Sequence, residues 1–313
     1  RAVESSQAPI TTWLVYPLKE HFWGDSLTRR ALEAARQHLG GLVPGARFAA
    51  GTNNDLIFML RTPPPLDLVD LVTFAINPQV HAFDNASLVE TLGVQGIAVR
   101  TARRLAGGKP VMVSPVTLKP RFNPYATGSA PQLATGELPP QVDVRQMSLL
   151  GAGWTAGSLK YLSESGAESI TYYETSGWRG VMETEQGSPL PEVFQSIPAS
   201  VFPLYHVLAD FGDCRGGEVI LSCSSDPLRV EGISLRKSRE RRLILSNLTS
   251  EPQQVLIRGL GGQARVRLLD ETSAEEALFA PERFRLRAGA EMQAEGGNLL
   301  LTLLPYAVAR VDG

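Results

Sequence analysis

Cysteine, histidine and long apolar runs are all scarce in this 313-residue chain, and each scarcity removes a class of protein. The two cysteines, Cys214 and Cys223, sit either side of a Gly-Gly turn and read as reduced thiols rather than a disulfide framework. The four histidines show no His-x-His or His-Glu-x-x-His spacing, so no metal is expected, and no cofactor. No apolar stretch approaches the roughly 20 residues that a spanning helix requires. A formal charge of −2, with basic and acidic residues interspersed, leaves no electrostatic footprint for nucleic acid or an anionic membrane. Glycine-rich phosphate loops and a Gly-x-Ser-x-Gly elbow are missing too, which disfavours a serine esterase. The chain reads as cytoplasmic, and the Asn247-Leu248-Thr249 sequon as incidental.

What is present is an alternation. Residues 11–17, 46–53, 70–77, 110–117 and 169–174 are apolar runs bounded by turn residues, as strands buried on both faces should be. Between them lie amphipathic helical patterns at 25–39, 87–105 and 144–163, with Asp25 and Ser87 as natural N-caps and Gly40-Gly41 and Gly107-Gly108 as stops. Strand and helix alternate through roughly the first 210 residues, which predicts parallel strands joined by helical crossovers. A (β/α)8 barrel needs eight strands, and about five are legible, or six if 219–223 closes the ring. With Arg1 in place of a starting methionine, two or three N-terminal strands are expected to lie outside the sequence.

From residue 218 the helical period gives way to short apolar runs at 219–223, 242–247, 254–258, 264–269, 298–304 and 307–311, the pattern of an antiparallel β-sandwich. Residues 275–279 could hold one helical turn, with Pro281 and Gly289 preventing anything long. The expected organisation is therefore a partial barrel over 1–217 and a β-sandwich over 218–313. Few aromatics follow Cys223. Phe279, Phe284 and Tyr306 read as core, which makes the β-domain a buttress rather than a sugar-binding module.

In a parallel barrel the active site lies at the C-terminal ends of the strands. Reading those ends collects Tyr16 and Lys19; Asn53, Asn54 and Asp55; Asn77, Gln79, His81 and Asp84; Thr117, Lys119, Arg121 and Asn123; and Tyr172 and Glu174. Glu174 is the lead residue, a carboxylate at a strand end before a glycine-punctuated loop; a Glu there can equally hydrate or pair with a nearby Arg. His81 is the only histidine just past a strand end, and a structural histidine is its alternative role. Asp84 is better read as a helix cap than as an orienter of His81. Lys119 and Arg121, beside prolines, suit recognition of a carboxylate, a sugar acid or an oxyanion, and suit a solubilising surface equally.

Four segments, 51–53 (GTN), 74–84 (FAINPQVHAFD), 113–123 (VSPVTLKPRFN) and 172–178 (YYETSGW), together resemble the D-apionate lactonase family. The resemblance implies a clan A glycoside hydrolase-like barrel with an appended β-domain, and hydrolysis of a five-membered sugar lactone to its open acid in bacterial carbohydrate catabolism. It implies Glu174 as base and His81 as proton donor, with Asn53, Asp55, Asn77, Lys119, Arg121 and Tyr172 around a small sugar lactone as partner. The stretch 51–61 (GTNNDLIFMLR) departs from the family pattern, since Asp55 is its only acidic residue. A glycosidase requires paired carboxyls. Unless Asp55 points inward, glycoside hydrolysis is disfavoured and this member is altered or inactive. The readings that remain are a sugar-lactone hydrolase, a glycoside hydrolase acting on a plant-type saccharide, and a catalytically degenerate carbohydrate-binding relative.

Overall fold

Five of the apolar runs pair into one parallel sheet in the computed structural model, which describes residues 9–17, 25–123 and 133–313, with the backbone alone for 25 and 26. The strands are Thr12–Leu14 (β1), Arg47–Gly51 (β2), Leu71–Ile76 (β3), Val111–Val116 (β4) and Ser169–Tyr172 (β5), neighbours in chain order. Leu71 to Ala75 are all buried, as strands covered on both faces must be. Gly51 lies so close to β3 that a Cβ would stand 2.0 Å from the Thr73 carbonyl oxygen, so no larger residue fits. Beyond β5, a short parallel ladder of Glu174–Ser176 (β6) and Gly180–Met182 (β7) turns through Gly177 at φ 82°. This is half of a TIM-type barrel.

The connecting helices are Asp25–Leu39 (α1), Leu56–Arg61 (α2), Asn85–Glu90 (α3), Leu92–Leu105 (α4), Leu149–Glu164 (α5) and Pro203–Gly212 (α6). The helix expected from Ser87 starts earlier, because Asp84 supplies the cap: its Oδ1 accepts from the Ser87 amide at 2.9 Å. It is interrupted at Thr91, whose hydroxyl donates to the Leu88 carbonyl at 2.7 Å. The helix expected from 144 opens as a 3-10 turn, Val144–Met147, and becomes α-helical after Ser148, whose Oγ accepts from the Gly151 amide.

Residues 219–223 do not close the barrel. Glu218–Ile220 (β8) pairs antiparallel with Val230–Lys237 (β9) and joins the second module. The other strands are Glu240–Asn247 (β10), Gln253–Arg258 (β11), Gln263–Leu269 (β12), Ala290–Gln293 (β13), Asn298–Leu303 (β14) and Val308–Asp312 (β15). A six-stranded sheet, β13-β12-β15-β10-β9-β8, faces the pair β11-β14 across a core of Leu245, Ile257, Val266, Leu301 and Val311. The helical turn at Ala274–Phe279 (α7) is followed by a second at Pro281–Leu286 (α8), since proline is well suited to the first helical position. Phe284 is core as expected. Phe279 is not: α7 turns Ala277 inward, which leaves Phe279, two residues on, 56 % exposed. Asn247 of the sequon is fully buried and donates to the Glu251 and Leu304 carbonyls.

The two modules share α5. Every residue from Leu150 to Lys160 is buried, so this helix is apolar-packed all round rather than amphipathic. One side meets α4 and α6, and the other meets β9, β10 and β15. Glycines make the close approach possible: a Cβ on Gly153 would lie 3.2 Å from Leu248 Cδ2, and one on Gly157 would lie 2.7 Å from Leu92 Cδ1. A single apolar cluster consequently runs from Val113 through Trp154 to Ile233 and Val308.

The charged groups buried along this seam are paired, whereas Ser246 Oγ of β10 is buried without a hydrogen-bond partner among the described residues. Lys160 Nζ donates to Glu164 at 3.0 Å and to the Ser222 carbonyl at 2.6 Å, and the Tyr161 hydroxyl donates to Glu231 at 2.7 Å. On α6, Asp210 is 5 % exposed and accepts from Arg267 of β12 at 2.5 Å, Arg285 of α8 at 3.1 Å and Arg310 of β15 at 3.3 Å. Arg285 and Arg310 keep Asp213 and Asp312 as partners, but removing that carboxylate leaves the buried Arg267 guanidinium without a counter-charge. Asp210→Ala should therefore lower stability by about 3–5 kcal/mol in urea unfolding; a loss below about 1 kcal/mol would mean that the cluster does not join the modules.

His206, on the same helix, is 2 % exposed, with Nε2 at 2.9 Å from the Ala277 carbonyl oxygen. Burial pushes its pKa down to about 4. The unfolded chain, with an ordinary histidine near 6.5, takes up the proton first as pH falls, so the folded state loses stability between pH 6.5 and 4. The difference in unfolding free energy between the wild type and His206→Gln should fall across that window by an amount on the order of 3 kcal/mol. A pH-independent difference would show that His206 is not held neutral.

Candidate active site

At the C-terminal ends of β4 and β5, side chains from three segments converge on one small depression. Lys119 and Arg121 come from the loop after β4, Asp143 from the approach to α5, and Tyr173, Glu174 and Arg179 from the chain after β5. Glu174 lies past β5, as the first residue of β6. Tyr173 adopts φ 54°, a left-handed conformation that a bulky side chain rarely takes. The Glu174 amide donates to the Arg179 carbonyl at 3.0 Å, and its Oε1 lies 2.7 Å from Arg179 Nη2. Both side chains keep more than a third of their surface in solvent, so the pair adds little to stability.

The cations are held from behind. Lys119 Nζ donates to the Val142 carbonyl at 3.0 Å, and Arg121 Nη2 donates to the Asn53 carbonyl at 2.9 Å. Asn53 thus joins the site through its backbone, while its side-chain Oδ1 is buried with no hydrogen-bond partner among the described residues. Under them lies a tight cluster. Gln79 Nε2 donates to the Leu118 carbonyl at 2.7 Å and to Asp143 Oδ2 at 2.6 Å, and Arg145 donates to Asp143 through Nε at 2.9 Å and Nη2 at 2.8 Å. Burial pushes the Asp143 pKa up, but the bonds from Arg145 and Gln79 outweigh it and hold the carboxyl below its ordinary range.

Other residues read from the strand ends lie elsewhere. Asp55 Oδ1 accepts from the Ile57 amide at 3.0 Å as the N-cap of α2. Asn77 is half-buried just beyond β3, and His81 lies on an exposed turn, residues 80–84. Tyr172 points away from the mouth, its hydroxyl 2.8 Å from Ser158 Oγ of α5. The Tyr16 hydroxyl is 3.4 Å from Thr73 Oγ1, and Lys19 lies outside the described residues. Asp143, Gln146, Tyr173 and Arg179 are the additions. Arg179 stands one residue past the conspicuous SGW turn and Asp143 one residue before the helical pattern, yet neither spacing reveals that the two share a depression.

Among the described residues no three His, Cys, Asp or Glu side chains gather as a metal site would need. No helix among them is long and apolar enough to cross a membrane. A larger groove, about 760 Å³, opens between β11 and the β8–β10 side of the β-domain, away from these groups.

Residues 1–216 match the family model described as "D-apionate lactonase, TIM barrel domain", and residues 227–311 match "D-apionate lactonase, C-terminal immunoglobulin-like domain". A D-apionate lactonase from Brucella anthropi is 27 % identical over 219 residues, which is 68 % of this chain and 34 % of that protein. The chain thus spans about a third of that relative's length. Among solved structures, the GH51 α-L-arabinofuranosidase of Thermotoga petrophila superposes with a TM-score of 0.67 at 13 % identity, covering 96 % of this chain and 66 % of that one. The α-L-arabinofuranosidase of Thermotoga maritima gives 0.65 at 12 %, covering 96 % and 65 %. A GH30 endoxylanase of Clostridium papyrosolvens gives 0.58 at 10 %, covering 99 % and 67 %. At such identities these likenesses concern the fold.

Proposed function

The chain belongs to the D-apionate lactonase family, and from that premise we propose that it takes part in hydrolysing a sugar-acid lactone, D-apionolactone or a close relative, to the open acid. The observation that carries the reading is the placement of Glu174 in one depression with Lys119, Arg121 and Arg179. Lactone opening needs a base to draw a proton from water as it attacks the carbonyl carbon, and positive charge where the carbonyl oxygen becomes an oxyanion. Glu174 is the base. Lys119, Arg121 and Arg179 form the cationic wall that takes the oxyanion and then the carboxylate of the product. As the tetrahedral intermediate collapses, the ring C–O bond breaks and the leaving oxygen takes a proton. Glu174 holds that proton and returns it, and no step falls to His81 on its exposed turn outside the depression. The proposed setting is sugar-acid catabolism in the cytoplasm.

The arabinofuranosidase and xylanase neighbours support a second reading, glycoside hydrolysis. That chemistry needs a protonated carboxyl as general acid beside a second carboxylate. Asp143 shares the depression with Glu174, but its oxygens are taken by Arg145 and Gln79 and its pKa is lowered, so it has no proton to give near neutral pH. Asp55 is spent on a helix cap. Both facts favour the lactone.

In the full-length protein, Glu174→Gln should lower kcat on an aldonolactone by roughly 10²- to 10⁴-fold, the usual worth of general base catalysis, and leave thermal unfolding unchanged. Acid release followed against the spontaneous rate measures it. Near-wild-type turnover in that variant would overturn the assignment, and no turnover by the wild type on any aldonolactone would favour the glycosidase or a degenerate protein.

A further inference from the structure

Successive residues of a strand point to opposite faces, so Tyr172 and Tyr173 would normally part company. They do not. The left-handed turn at Tyr173 brings both rings to the same side, 5.5 Å apart between centroids, against the buried helix α5. There the Tyr172 hydroxyl meets Ser158 Oγ at 2.8 Å and the Tyr173 hydroxyl meets Thr155 Oγ1 at 2.8 Å. Thr155 commits its one hydroxyl proton to the Gly151 carbonyl at 2.7 Å, so Tyr173 must be the donor in its pair. A phenol that donates into a buried helix has no proton for the substrate. Burial also pushes its pKa up.

A bulky residue held at positive φ is costly and persists only where surrounding contacts enforce it. Three contacts do so here. The Tyr173 amide donates to the Val116 carbonyl at 3.1 Å, the residue is buried at 7 % exposure, and its hydroxyl is tied to Thr155. The turn they enforce ends at Glu174, whose amide and carboxylate both meet Arg179. We propose that Tyr173 is a positioning residue, whose anchorage to Thr155 of α5 fixes the left-handed turn that aims Glu174 at Arg179 and the mouth of the depression. This rests on the role given to Glu174 above, but its geometric part stands apart from any activity.

Tyr173→Phe and Thr155→Val each remove one side of the anchor with almost no change in volume. In the full-length protein each should lower kcat on an aldonolactone about tenfold, the worth of one buried hydrogen bond, with KM unchanged within about twofold. The double variant should fall no further than either single one, since both break the same link. Unchanged kcat in a folded single variant, or losses that multiply in the double, would overturn the proposal. Crystal structures of the two single variants give the second readout, free of any substrate. Glu174 is expected to have left Arg179, and a Glu174–Arg179 contact kept near 2.7 Å would contradict the anchor even if no lactone is ever turned over.

Discussion

A helix without a solvent face is the constraint on which the rest of this structure depends. Residues 150–160 of α5 are buried on every side, so the helix is stable only if something covers it all round. The half-barrel covers one side, and β9, β10 and β15 cover the other. The β-domain is therefore the second wall of the barrel's own core, consistent with a buttress. Small residues set the distance: Gly153 lets Leu248 and Ser246 approach, and Gly157 admits Leu92. Charges buried in the seam, Lys160 with Glu164 and Asp210 with Arg267, are matched within it, which makes the contact specific as well as apolar.

The same helix reaches the candidate site. Thr155 and Ser158 meet the two tyrosines that precede Glu174, and the 3-10 turn leading into α5 carries Arg145, which grips Asp143. Asp143, with Gln79, ties the loops after β3 and β4 to the helix entry. The mouth thus consists of loops fastened to a helix that both modules hold rigid, which suits a site that works by charge placement.

Much of this architecture is legible in the sequence because it rests on local patterns. β1 to β5 stand out as apolar runs, and α1, α4 and α5 as helical periods. β9 is hidden because Gly232 and Ser234 interrupt its apolar alternation, and α6 because Pro203 looks like a break where it is a start. The all-round burial of α5 reads as amphipathic, since a glycine that packs against a neighbour is indistinguishable in sequence from one that faces water. For the site, Glu174, Lys119 and Arg121 follow from their places at strand ends, and the structure brings them together. Arg179 and Asp143 do not follow, because they reach the depression through a turn and a loop whose paths are set by tertiary contacts. Asp55 shows the converse: a polar residue after a strand has a local use, capping the next helix, that outcompetes a place in the mouth.

A core shared by the barrel strands, α5 and the β-domain should unfold as one cooperative unit. Native-state hydrogen exchange on the full-length protein tests it most directly, by comparing the opening free energies of amides in β4, α5, β10 and β15. The slowest amides of all four should open together, with the same free energy and the same dependence on denaturant. A β-domain that opens several kcal/mol below α5, while α5 and β4 stay protected, would contradict it.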